Sequence, residues 1–125
     1  MIEAMSEKEV KHVCDLTYLI EMMHGKKHLI NEVFDAFLIE IPKELHNINT
    51  AMEEKNYTSI RNFAHTIMST ITVIGISVLV PILQEMEDLK ITTINIEKLK
   101  GLNGKLNSIC QQAIEEIQSE KHNYM

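Results

Sequence analysis

Apolar residues return at steps of three and four along nearly the whole chain, and alternating apolar–polar runs are scarce, so the pattern predicts helices and no sheet. A short amphipathic helix is expected over residues 2–13. A second covers "CDLTYLIEMMHG", with Asp15 as N-cap and Gly25 as stop. The longest stripe occupies residues 26–54, where Leu29, Val33, Phe37, Ile41, Leu45, Ile48 and Met52 share one face. Pro42 lies inside it and removes the bond to the Leu38 carbonyl, which should kink this helix and not end it. Asn56 can cap a helix over residues 57–74 that Gly75 terminates, and Ser77 can cap another through residue 89 with Pro81 in its first turn. After the loop "KITTIN", Ile96, Leu99, Leu106, Ile109, Ala113 and Ile117 mark a last helix over residues 94–120. Gly101 and Gly104 should weaken or bend its first half. No repeat, low-complexity tract or linker divides the chain. The expected fold is all-α, one domain over residues 1–125, an antiparallel four-helix bundle with short additional N-terminal helices.

Composition narrows the partners more than the fold. A chain of 125 residues that is 45% hydrophobic can bury a core without disulfides or metals. Its net charge of −6 argues against a general nucleic-acid binder, which needs a basic footprint to displace counterions. Cys14 and Cys110 fit no metal-ligand spacing and are expected to be reduced and largely buried. The many methionines should fill gaps in the core. The most apolar run, "ITVIGISVLVPIL", is about 13 residues, short of the roughly 18–20 that cross a bilayer, and Gly75, Ser77 and Pro81 interrupt it. The opening "MIEAMSEKEVKH" has no apolar core of a secretory signal. A cytoplasmic protein that contacts neither nucleic acid nor membrane is expected.

The candidate chemistry lies in "RNFAHTIMSTITVIGI". With Ile60 at zero and about 100° per residue, Phe63, Ala64, Ile67, Ile71 and Ile74 cluster within roughly 60° of one direction, the core. His65 falls at about 140°, on the opposite side, with Arg61, Met68, Ser69 and Thr72 around it. A packed core histidine would share the isoleucine stripe, and this one does not. Metal sites find no support elsewhere. Glu21 and His24 form a single Glu-x-x-His where a di-iron bundle needs two, and Gly25 separates His24 from His28. His12, His46 and His122 sit in polar surroundings. Glycine-rich phosphate loops and Cys–His pairs are absent as well.

The stretch "AHTIMSTITVIG" resembles the central motif of histidine-containing phosphotransfer (HPt) domains, small helical bundles of multistep two-component phosphorelays. The family pattern is Ala-His-x-Leu-Lys, then Gly or Ser, a small residue, and Gly ten residues after the His; Ala64, His65, Ile67, Ser69, Thr70 and Gly75 match it in place. The likeness extends over residues 15–90. "DLTYLIEMMHG" is similar to the family's short first helix and Gly turn, the segment with Phe37 and Pro42 to its long helix, and "LVPILQEMEDL" to the helix after the motif.

The resemblance implies that His65 is the phosphoacceptor and that the partners are response-regulator receiver domains, a hybrid histidine kinase, or both. It implies no cofactor on this chain, since the receiver brings the phosphoaccepting Asp and Mg²⁺. A monomeric phosphate carrier follows, not an enzyme in its own right. A neutral imidazole suits the task because its free lone pair attacks phosphorus without an adjacent base. Ser69 and Thr70, small and polar, leave room for the partner's approach. The sequence departs from the family at Met68, where a lysine is usual; Arg61, one turn before His65, can supply a guanidinium instead. The alternative is a helical adaptor on the same scaffold that docks receivers or other helices without carrying phosphate.

Overall fold

A computed structural model describes residues 12–90 and 93–125, so the helix expected over residues 2–13 lies almost wholly outside the described residues. The described residues form five α-helices: α1 (Thr17–Met22), α2 (Lys27–Glu53), α3 (Tyr57–Ile74), α4 (Leu79–Glu87) and α5 (Ile96–Glu120), with a closing 3-10 turn at Lys121–Tyr124. Helix α2 packs on α3 and α5, α3 on α4, and α4 on α5, so the four longer helices close a ring around one core, while α1 lies against α3. No strand occurs among the described residues. None of the described helices is long and apolar enough to cross a membrane.

Every helix contributes to the core: Leu19 from α1, Phe34 and Phe37 from α2, Ile67 and Ile71 from α3, Leu83 and Met86 from α4, and Leu106 and Ile117 from α5. Each such side chain withdrawn from water is worth about 1.5–3 kcal/mol. No polar or charged residue is buried as a whole among the described residues.

Several boundaries and stripes differ from expectation, each for a local reason. Asp15 is not the N-cap; Leu16 is, and Asp15 Oδ1 instead accepts from the Thr17 amide at 3.0 Å. In α2 the buried set is Ile30, Phe34, Phe37, Ile41, Leu45, Ile48 and Ala51, leaving Leu29, Val33 and Met52 half-buried. The helix passes through Pro42 without ending. Ser77 caps nothing with its side chain; its carbonyl accepts from Val80 at 3.1 Å and α4 starts at Leu79. Helix α5 begins at Ile96 because Asn95 Oδ1 takes the Lys98 amide at 3.0 Å. That cap leaves Ile96 exposed, while Leu102 and Cys110 are buried and Ile109 is half-buried. Gly101 and Gly104 face open space within an uninterrupted helix. Both cysteines are free, Cys110 buried but Cys14 only half-buried.

Two polar ties fix α5, one to another helix and one to the segment ahead of α1. Between α2 and α5, Asn49 Nδ2 donates to Asn107 Oδ1 at 3.0 Å, and Asn49 Oδ1 accepts from Asn103 Nδ2 at 2.9 Å and Asn107 Nδ2 at 3.1 Å. At the other end, Glu116 on α5 accepts the Val13 amide at 2.8 Å and the Cys14 amide at 3.0 Å, with Gln112 Nε2 at 3.0 Å. Burial works to raise the Glu116 carboxyl, but those amides and Gln112 outweigh it and hold it below the ordinary carboxylate range. A depressed carboxyl contributes stability above its unfolded value and loses it as pH falls through the folded one. Glu116→Gln is therefore expected to be less stable than wild type by about 1–2 kcal/mol at neutral pH. The gap should narrow in acid, as checked by urea denaturation at about pH 7 and about pH 4.

Candidate functional site

The helix that carries His65 is closed at both ends by its own residues. Asn56 Oδ1 accepts the Ser59 amide at 3.1 Å, which satisfies one of the open donors of the first turn. At the far end Gly75 takes a left-handed φ of 74°, so that its amide and that of Ile76 both reach the Ile71 carbonyl, at 2.9 Å and 3.1 Å. Gly75 also serves a second purpose. The Asp15 amide donates to the Gly75 carbonyl at 3.0 Å, and a Cβ on Gly75 would lie 1.9 Å from the Asp15 carbonyl oxygen. The segment entering α1 is thus laid directly over the end of α3.

Within α3 the expected faces separate. Ile60, Ala64, Ile67, Ile71 and Ile74 are buried, with Phe63 half-buried at the edge of the stripe. The His65 side chain is 80% exposed. Arg61, Ser69 and Thr72 share the exposed face, and Met68 is half-buried against the core. The hydroxyls turn inward: Thr72 Oγ1 donates to the Met68 carbonyl at 2.9 Å and Ser69 Oγ to the Thr66 carbonyl at 3.3 Å. They keep outward lone pairs but spend their protons on the helix. Arg61 is the one Lys or Arg within α3 and has no ion pair among the described residues.

The residue that sequence reasoning missed is Glu87, the last of α4. Its Oε1 lies 2.8 Å from His65 Nδ1. A carboxylate only accepts, so Nδ1 carries a proton and donates it, and in the neutral ring Nε2 is then the nitrogen with the free lone pair. Nε2 meets no partner among the described residues. A signal for this pairing was present: α3 and α4 are joined by a turn of four residues, and His65 and Glu87 stand nearly equidistant from it. The remaining described histidines are exposed too, but none has this geometry; the nearest case, His12 Nδ1 to Glu116 Oε1, is 3.7 Å, beyond hydrogen-bond length.

The model of the Hpt domain family matches residues 32–120, which takes in most of α2 and all of α3, α4 and α5. The chain belongs to the Hpt domain family. No curated protein and no solved structure gives a significant match. An Hpt domain implies a phosphotransfer role in a phosphorelay and response regulators as partners. In this Hpt domain the flank of α3 that faces α2 bears an apolar groove of about 310 Å³. Met22 of α1, Val33, Ala36 and Phe37 of α2, and Thr70 and Val73 of α3 line it. Thr70, expected as a small residue of the motif, is one wall of this groove and not a neighbour of the imidazole.

Proposed function

We propose that the protein is a histidine phosphocarrier that accepts a phosphoryl group on His65 from the aspartate of one receiver domain and gives it to another. The observation that supports this most is the exposed imidazole held at Nδ1 by Glu87, with Nε2 unoccupied. In the accepting step the Nε2 lone pair attacks phosphorus, the N–P bond forms, and the acyl O–P bond breaks with its electrons left on the receiver's carboxylate. Transfer onward is the reverse, on a different aspartate. Mg²⁺ and the acidic pocket belong to the receiver, and this chain, a single domain with its ring of helices read as an antiparallel four-helix bundle, supplies a positioned nucleophile. The carrier is cytoplasmic and monomeric in this reading, and a hybrid histidine kinase can stand upstream.

Arg61 takes the part of the family's lysine. Residues four apart on a helix are neighbours, and the tilt of the Cα–Cβ bond leans the imidazole back over the turn that bears Arg61. With no carboxylate holding it among the described residues, the guanidinium is available to the phosphoryl oxygens. Arg61→Ala should slow labelling about three- to tenfold with the fold intact, read by single-turnover transfer from a phosphorylated receiver.

The reading is tested by mixing the protein with receiver domains pre-phosphorylated by acetyl phosphate, in Mg²⁺, beside an Hpt domain known to accept from them. Acid-labile, base-stable label on this protein is the expected result. Binding to those receivers without label, while the control is labelled, would establish the adaptor on the Hpt scaffold instead and point to Met68 as the reason.

A further inference from the structure

We infer that the Glu87 carboxylate keeps the ring of phosphorylated His65 protonated, which makes this Hpt domain a ready donor that holds its phosphoryl group briefly. The inference rests on the phosphocarrier reading and adds the direction in which the site is biased. It follows from what happens to the Nδ1 proton. Attack by Nε2 moves no proton: the ring arrives at the phosphorylated state as an imidazolium with hydrogen still on Nδ1. When a receiver carboxylate later attacks phosphorus, the O–P bond forms, the N–P bond breaks, and the electron pair returns to Nε2. With Nδ1 protonated the departing group is a neutral imidazole. If Nδ1 has lost its proton, the departing group is an imidazolide anion, a far poorer leaving group.

Glu87 decides between these cases because it touches the atom concerned, at 2.8 Å, on the side of the ring away from the phosphoryl group. Its side chain is 25% exposed, so solvent screens the pair only in part. A carboxylate there favours the cation, whereas a neutral amide would accept the same hydrogen bond without that preference. No other charged side chain among the described residues lies within ion-pair distance of the ring. Arg61 lies a turn away on α3, Glu40 lines the groove on the opposite flank, and Glu85 is engaged by Lys98 at 2.9 Å. Glu21 of α1, Glu44 of α2 and Asp88 beside α4 make no contact with the imidazole.

The test compares wild type with Glu87→Gln, both labelled by the phosphorylated receiver, freed of it, and followed for loss of label between about pH 6 and pH 9. The two should lose label at similar rates at the acid end. Toward the alkaline end Glu87→Gln should keep its label about three- to tenfold longer, since its ring gives up the proton at lower pH. Profiles that run parallel across the range would mean that Glu87 only positions the ring, and would overturn the inference alone. A wild-type protein that takes no label overturns it together with the carrier reading. Long-range ¹H–¹⁵N spectra of labelled wild type give a measurement that needs no variant. Nδ1 should stay protonated to higher pH than in a phosphohistidine peptide, and equal or earlier loss would refute the proposal.

Discussion

His65→Gln is expected to reduce phosphate labelling to the level of a reaction without protein, while its thermal unfolding stays where the wild type's is. Both halves follow from placement. The side chain is 80% exposed and stands opposite the buried isoleucines of α3, so its removal opens no cavity. Exposed substitutions of this kind change stability by less than about 0.5 kcal/mol. Glutamine can still donate to Glu87, but its amide nitrogen has no lone pair to offer phosphorus. The other described histidines are exposed as well and provide an internal control, for none has a carboxylate at hydrogen-bond distance. Label that persists on His65→Gln would show that exposure is enough and that the Glu87 contact selects nothing. The decisive readout is acid-labile, base-stable label on each protein, beside circular dichroism to confirm the fold.

Gly75→Ala is expected to destabilise the fold severely. A left-handed φ of 74° alone costs a residue with a Cβ about 1–2 kcal/mol. The added carbon would also sit 1.9 Å from the Asp15 carbonyl oxygen, so the segment entering α1 must move or the end of α3 must unwind. Overpacking of this sort adds about 1–3 kcal/mol, and the sum is a large share of the 5–15 kcal/mol that a domain possesses. The midpoint of thermal unfolding should fall by about 10–20 °C. Gly75→Asn separates the two causes. Asparagine tolerates the left-handed region but carries the same Cβ, so it should be nearly as damaging as alanine. A mild effect for asparagine with a severe one for alanine would show that backbone strain, and not the approach of Asp15, governs the site.

The same glycine explains why α3 could be read from sequence to the residue. Asn56 and Gly75 are strong punctuation, each acting through a hydrogen bond made inside its own turn. Where punctuation was weak the reading slipped. Along α2, Leu29 and Val33 lie one position from Ile30 and Phe34, both pairs are apolar, and the choice between them is made by what α3 and α5 present. Ser77 had the chemistry of a cap but stands two residues ahead of the helix it was expected to start. The face of His65 was legible because it depends on one helix and its period. Glu87 was harder to see, because its meaning depends on how α3 and α4 fold back on each other; its one trace is its distance from the connecting turn, which no spacing within either helix records.

The three amides that link Asn49 to Asn103 and Asn107 set a condition on any graft of this scaffold. They behave as an index mark between two cylinders that are otherwise smooth with aliphatic side chains. Shift α5 along α2 by one turn and Asn49 meets Leu99 or Gln111, while the partner amides press on the oily rows formed by Leu45 and Ile48. A fully buried amide without a partner costs about 1–3 kcal/mol, and these half-buried ones would forfeit part of that, which weighs against the displaced alignment even though the leucines and isoleucines alone would accept it. Chimeras that exchange α5 for that of another Hpt domain will hold this alignment only if all three asparagines travel together.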